Sequence, residues 1–262
     1  MTFERPRKRF GQHFLHDPAV IDRILNAFDP RPDQAIVEIG PGRGALTLPL
    51  LQRVPTLHAI ELDRDLAARL PALAGNNGGL RLHQADALDF DFSTLAPGRR
   101  LRLIGNLPYN VATPILFRLI EQIDVVDDMV FMLQKEVVDR MAAGPGGKQY
   151  GRLSVMVQWR CHVEHLFDVG PGAFNPPPKV HSSVVYLRPR APAERIETNP
   201  ANFARLVQAG FAQRRKTLRN SLRGLIDDAA FASIGVDPTR RAETLTLDEF
   251  AQLAARVARD TG

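Results

Sequence analysis

The sequence predicts an α/β protein, a mostly parallel sheet with helices on both faces, followed by a small all-α domain. Three observations carry this. Short apolar runs of strand length alternate with helix-patterned stretches in the first half of the chain. Polar residues stand at the C-terminal ends of the first four runs, where open α/β sheets bind ligands. Beyond residue 200 the strand runs stop, and Phe203, Leu206, Val207, Phe211, Leu218, Leu222 and Leu225 recur at helical spacing.

The elements follow in order. Val20, Ile21, Ile24, Leu25 and Phe28 form one face of a helix over residues 18–28, with Asp17 as N-cap and Pro18 at the first helical position. Strands are predicted at 35–39, 57–61, 80–84 and 101–104, with helices at 45–52 and 65–73 between the first three. A fifth strand at 129–133 runs into a helix at 135–143, and 153–161 reads as another helix. Residues 163–169 and 180–187 read as two strands joined by a proline-rich connection, the antiparallel end of the sheet. The expected division is a catalytic domain at 1–190, a linker at 191–200 and a helical domain at 201–262.

Composition narrows the function. With 44% hydrophobic and 24% charged residues the chain is an ordinary globular protein. The net charge of +5 favours an anionic partner. A single cysteine, Cys161, excludes a disulfide framework. No apolar run is long enough to span a membrane and no apolar segment follows the basic N-terminus, so no membrane partner and a cytoplasmic address are expected.

The first strand ends in Gly40-Pro-Gly-Arg-Gly44. Gly40 and Gly42 permit a tight turn and close approach of a ligand to the backbone. Glu61 ends the second strand about twenty residues on, where a carboxylate accepts both ribose hydroxyls of NAD or of S-adenosylmethionine (SAM). Asp86 ends the third strand and can accept from an adenine amine; the competing reading is a turn cap. The fourth strand ends in Asn106-Leu-Pro-Tyr109. The Asn106 amide oxygen and the Leu107 carbonyl, held extended by Pro108, offer two acceptors for an amino group. Tyr109 offers a flat face to a base. Phe174, beside a run of three prolines, is the candidate for the other face. Hydride transfer has no use for this tetrapeptide; methylation of an amino group does.

Six basic and no acidic residues lie between Arg205 and Arg223. Arg215, Arg219 and Arg223, spaced four apart, are expected on one helix face for a phosphate backbone, with Lys216, Lys179 and the N-terminal Arg7, Lys8 and Arg9 beside them. Cys161, His162 and His165 lack the second ligand pair of a metal site, so no metal is expected.

Five segments together give a family resemblance: residues 7–15, 37–42, 104–110, 174–180 and 213–221. The chain resembles the KsgA-type ribosomal RNA adenine dimethyltransferases over nearly its whole length. The resemblance implies a class I SAM-dependent methyltransferase fold, Rossmann-like with a mostly parallel seven-stranded sheet, and a small C-terminal helical domain. It implies SAM as cofactor and methylation of N6 on two adjacent adenosines in the 3′-terminal hairpin of 16S rRNA. The implied partner is the immature 30S subunit, met by a monomer. By position it assigns Gly40, Glu61, Asp86 and Asn106 to the SAM pocket, with Leu15 and residue 13 near the methionine end. The family usually has Asn where this chain has His13. Two alternatives are a non-catalytic assembly factor on the same fold and a large-subunit rRNA dimethyltransferase; intact Glu61, Asp86 and Asn106 speak against the first, and the run at 213–221 against the second.

Overall fold

A computed structural model describes residues 13–75 and 78–257. Arg7, Lys8 and Arg9, expected to meet RNA, lie outside the described residues. The first part of the chain runs β1 (Phe14–Leu15), α1 (Pro18–Phe28), β2 (Ala35–Ile39), α2 (Thr47–Arg53), β3 (Leu57–Glu61), α3 (Arg64–Ala74), β4 (Leu80–Gln84) and β5 (Leu101–Asn106). It continues α4 (Ala112–Glu121), β6 (Val126–Gln134), α5 (Lys135–Ala142), α6 (Arg152–Arg160), β7 (Cys161–Val169), β8 (Phe174–Asn175) and β9 (Ser182–Pro189). Then come α7 (Pro200–Ala212), α8 (Leu218–Ser221), α9 (Asp228–Ile234) and α10 (Leu247–Ala254).

Seven strands form one sheet in the order β4-β3-β2-β5-β6-β9-β7. β2 pairs in parallel with β3 on one side and with β5 on the other, and β9 is antiparallel to β6. The chain therefore winds outward in opposite directions from β2 and β5. Their C-terminal ends flank the switch point where such sheets open a ligand crevice. β2 is buried along its whole length, which its near-continuous apolar sequence requires. Gly105 lets β5 approach β2: a Cβ there would stand 2.4 Å from the Ile39 carbonyl. The expected strand starts and lengths at 35–39, 57–61 and 80–84 match β2, β3 and β4. The helix α4 was not foreseen; Pro114 and β-branched Val111 and Thr113 obscure its start.

Asp17 caps α1, accepting from the amides of Ala19 and Val20 at 2.9 and 3.3 Å. Its other end is held by Arg102 on β5. That guanidinium donates to the Phe28 and Asp29 carbonyls and pairs with Asp128 on β6 through two 2.8 Å bonds. Both partners are buried, so removing either leaves an uncompensated charge, at a cost of about 3–5 kcal/mol.

Packing divides the chain into two compact units. One is the sheet unit, through Val138 with Val163–Pro189; the other joins Asp139–His162 to the chain from Arg190 onward. The segment 139–162, expected within the first domain, thus groups with the C-terminal helices. The cause is aromatic burial. Trp159 stacks on Phe203 at 4.4 Å, and the fully buried Tyr150 donates its hydroxyl to the Leu245 carbonyl at 3.0 Å. Within this unit Gly210 lets α7 lie close to Ala242, whose Cβ would be 3.2 Å from an added methyl.

Candidate active site

One cavity lies at the C-terminal ends of β2 to β5, in the sheet unit. Its lining includes His13, Leu15, Gly40, Gly42, Glu61, Asp86 and Asn106, together with Leu107, Pro108 and Tyr109. The residues expected to hold cofactor and those expected to hold the target amine therefore share one crevice.

The turn after β2 is set by Gly40 and Gly42, both at positive φ (70° and 56°). The Gly42 amide donates to Glu61 Oε2 at 3.0 Å and the Asp63 amide to Oε1 at 2.8 Å. The Glu61 carboxylate is thus fixed in place by backbone, with lone pairs left on both oxygens for further donors. Burial raises its pKa, and those two backbone bonds oppose the rise. Asp86 caps the turn after β4, Oδ1 accepting from the Leu88 amide at 2.9 Å, while the residue also lines the cavity. The turn-cap reading of Asp86 is the one this bond shows.

Beneath this turn lies a pair that sequence reasoning passed over. Glu38 on β2 is buried and accepts from the Thr47 hydroxyl at 2.6 Å. Burial pushes its carboxyl up to about 8, against the Thr47 bond and with help from the nearby Glu61. A lone carboxylate in the otherwise apolar run 35–39 was the signal that could have found it. Leu62, half exposed, also lines the cavity and was missed.

On the other side, Asn106 ends β5. Its Nδ2 donates to the His13 main-chain carbonyl at 3.1 Å. That bond orients the amide and leaves Oδ1 as an acceptor. Leu107 is buried; its amide donates to the Met132 carbonyl at 3.2 Å. Among the described residues no donor reaches the Leu107 carbonyl. The Pro108 carbonyl takes the Val111 amide at 3.1 Å, closing the turn into α4. The Tyr109 hydroxyl is hydrogen-bonded to the buried Ser182 Oγ at 2.5 Å, and its ring lies 5.5 Å from that of His13 at 30°. The short pair of β1 with β8 ties the residue-13 segment to the proline-rich connection, Leu15 opposite Phe174. His13 adds a bond from Nδ1 to the Pro176 carbonyl at 2.8 Å.

Two expectations change. Phe174 is not in the cavity lining; the residue is 2% exposed and belongs to the core cluster with Leu15, Ile24 and Leu25. The β1–β8 pairing turns it inward, so it offers no face to a base in this arrangement. The basic run is not one helix face either. α7 stops at Ala212, Arg215 and Lys216 lie in a turn, and α8 spans four residues carrying Arg219, with Arg223 past its end. The Leu218 and Arg219 amides donate to the Arg240 and Pro238 carbonyls, and these tertiary bonds displace the continuous helix. Arg215, Lys216, Arg219 and Arg223 remain exposed, with Arg219 paired to Asp228 at 3.0 Å. Lys179 is exposed on the proline-rich connection. His162 and His165 are bonded to different acids, Glu194 and Asp168, and the Cys161 thiol is pushed up to about 12 by burial.

A comparison with known proteins gives this geometry a lineage. The family described as ribosomal RNA adenine dimethylase matches residues 3–259. Small-subunit ribosomal RNA methyltransferase A of Nitrosococcus oceani is 56% identical over 250 residues, covering 95% of each chain. That of Laribacter hongkongensis is 55% identical over 256 residues, 98% of this chain and 97% of the relative. Among solved structures, a dimethyladenosine transferase from Plasmodium falciparum has a TM-score of 0.78 at 25% identity, covering 92% of this chain and 96% of the other. The 23S rRNA methyltransferase ErmE gives 0.69 at 25%, over 93% and 99%. The seven-stranded sheet is that of a class I methyltransferase, and the chain belongs to the ribosomal RNA adenine dimethylase family.

Proposed function

We propose that this protein is the SAM-dependent adenine dimethyltransferase of small-subunit rRNA. The observation that carries the reading is the Asn106 amide. Its nitrogen is engaged by the His13 carbonyl, so its oxygen, beside the Leu107 carbonyl, is available to an amino group. An Asn with its amide turned the other way would repel an adenine N6 donor.

The residues present suit the cofactor. Glu61 has the lone pairs for a ribose diol, Asp86 can accept from an adenine amine, and Gly40 and Gly42 keep the floor free of side chains. Carboxylates around the cavity favour a sulfonium cation. When bound, SAM supplies an electrophilic methyl group.

What the chain does to the other reactant follows from its acceptors. An adenine amine is a poor nucleophile because its lone pair is delocalised into the ring. Hydrogen bonds from its two N–H groups to Asn106 Oδ1 and the Leu107 carbonyl favour a tetrahedral nitrogen. They also stabilise the positive charge that develops on it, the kind of fixed-dipole effect that usually dominates. Tyr109, its hydroxyl held by Ser182, supplies a platform for the flipped base. Positioning contributes much of the remainder. Neither a metal nor a covalent nucleophile enters these steps.

The finer target, two adjacent adenosines of the 3′-terminal hairpin in a late 30S precursor, follows from the family resemblance. Lys179 with Arg215, Lys216, Arg219 and Arg223 are the candidate RNA contacts within the described residues, and a monomer in the cytoplasm is the expected working form. Transfer of labelled methyl from SAM to unmethylated small subunits, followed by nucleoside analysis, tests the reading. N6,N6-dimethyladenosine is expected. Tight binding without transfer would mark an assembly factor instead. Activity should fall steeply between low and moderate salt, because cations on phosphates release counterions; a flat response would remove these residues from the docking surface.

A further inference from the structure

We propose that the His13 imidazole is the proton acceptor of the reaction, taking through Nε2 the proton that the target amine releases at each methyl transfer. The inference rests on the adenine-amine reading above.

Three observations place the ring for this task. First, Nδ1 lies 2.8 Å from the Pro176 carbonyl. A carbonyl only accepts, so Nδ1 carries the hydrogen and the neutral ring has its lone pair on Nε2. Second, the main-chain carbonyl of the same residue holds Asn106 Nδ2 at 3.1 Å. The imidazole therefore branches from the backbone that orients the amine's acceptor. Third, the ring lies 5.5 Å from that of Tyr109, and His13, Asn106 and Tyr109 line one cavity.

The chemistry leaves a proton for such a group to take. At each transfer the nitrogen lone pair forms the N–C bond and the electron pair of the S–C bond returns to sulfur. The nitrogen then carries one proton too many. Asn106 and the Leu107 carbonyl accept hydrogen bonds but are far too weakly basic to keep a proton. The other titratable groups of the lining each have a partner, and the lone pairs left on Glu61 and Asp86 are assigned above to the cofactor. Glu61 takes the Gly42 and Asp63 amides, Asp86 caps Leu88, Asp63 caps α3, and Glu38 is buried against Thr47. Tyr109 is tied to Ser182. Arg43, over the Phe14 ring, and Lys179, past Pro176 on the connection, are cations and accept nothing. The proton on Nε2 passes to water, and the ring is restored for the second transfer.

Two measurements test this. In single-turnover methylation of unmethylated small subunits, wild type should slow as the pH is lowered, because a ring protonated at both nitrogens has no lone pair to accept with. His13→Asn keeps the main-chain carbonyl and a donor for Pro176 but has no basic nitrogen. It should remain active, lose that acid limb, and run about tenfold slower above it. That is less than a positioned general base usually contributes, because an aminium ion on adenine sheds its proton readily to water. NMR of nitrogen-15-labelled imidazole in the wild-type protein should find the neutral ring protonated at Nδ1. The same acid limb in His13→Asn, or a neutral ring protonated at Nε2, would overturn the proposal. A wild-type protein that makes no methylated adenosine would overturn the adenine-amine reading beneath it as well.

Discussion

On the side of the crevice proposed to hold the cofactor, Glu61 takes its hydrogen bonds from residues 2 and 19 positions away. On the side proposed to hold the target amine, Asn106 and Tyr109 are held by partners 93 and 73 positions away. The first half is assembled from strand ends and the turns that follow them, so it forms once β2, β3 and β4 are in register. The second depends on the segment at residue 13 and the proline-rich connection closing over β5. A binding half made of local turns and a reacting half made of long-range contacts can be damaged separately, which mutations can exploit.

The largest effect is expected at Asn106. Asn106→Ala removes one of the two acceptors and should lower kcat by about 10²–10³, the range for loss of one preorganised catalytic dipole. SAM affinity, measured by calorimetry, should fall by much less than kcat, although Asn106 borders the cofactor's part of the cavity as well. Asn106→Asp sets a carboxylate oxygen against the His13 carbonyl, where the amide now donates at 3.1 Å. It should be as slow as the alanine variant, with the second methylation no faster than the first. Dimethyladenosine formed at the wild-type rate by Asn106→Asp would contradict both the grip and its orientation. The reciprocal change is Glu61→Ala. It should weaken SAM binding by about 2–3 kcal/mol, the scale of hydrogen bonds to a charged group. A parallel loss in kcat at saturating SAM would show that the two halves are not independent.

Glu38 tests the floor beneath the cofactor half. Its carboxyl titrates near 8 in the folded protein against about 4.5 when exposed, because burial disfavours the charged form. Between those values the folded state binds more protons than the unfolded state. Stability must therefore fall as pH rises through this window. Glu38→Gln keeps an acceptor for Thr47 and removes the titration. Its unfolding free energy should be flatter from pH 5 to 8, gaining about 3–4 kcal/mol on wild type across that range. Urea unfolding at several pH values reads this directly. Parallel curves for the two proteins would mean that Glu38 does not hold its proton.

The same local-versus-distant contrast decides what could be read from sequence. Gly40, Glu61 and Asp86 announce themselves because a strand end followed by glycine or a carboxylate is a local pattern with one geometric outcome. Asn106–Tyr109 is equally visible as a string. Its supports are not: nothing near Ser182 points to Tyr109, and nothing near Pro176 points to His13. The burial of Phe174 was hidden for the same reason, since only its pairing opposite Leu15 sets the ring in the core. The arginine spacing at 215, 219 and 223 satisfied a helix on paper. Carbonyls some twenty residues away, at 238 and 240, took the amides that would have continued it.

The smallest effect is expected where one long-range bond is removed and nothing else. Tyr109→Phe keeps the ring and its place beside His13 but loses the hydroxyl bonded to Ser182 at 2.5 Å. A neutral hydrogen bond contributes about 1 kcal/mol net, and here the partner is buried, so Ser182 is left unsatisfied. Tyr109→Phe should therefore cost about 1–2 kcal/mol of stability, and Ser182→Ala about the same. The double variant should cost less than their sum, because each single change already strands the other's polar group. In methylation the ring, free to tilt, should raise KM for the RNA more than it lowers kcat. Equal losses in kcat and kcat/KM would assign the Tyr109 hydroxyl a part in the chemical step itself and shift the boundary between holding the base and holding the amine.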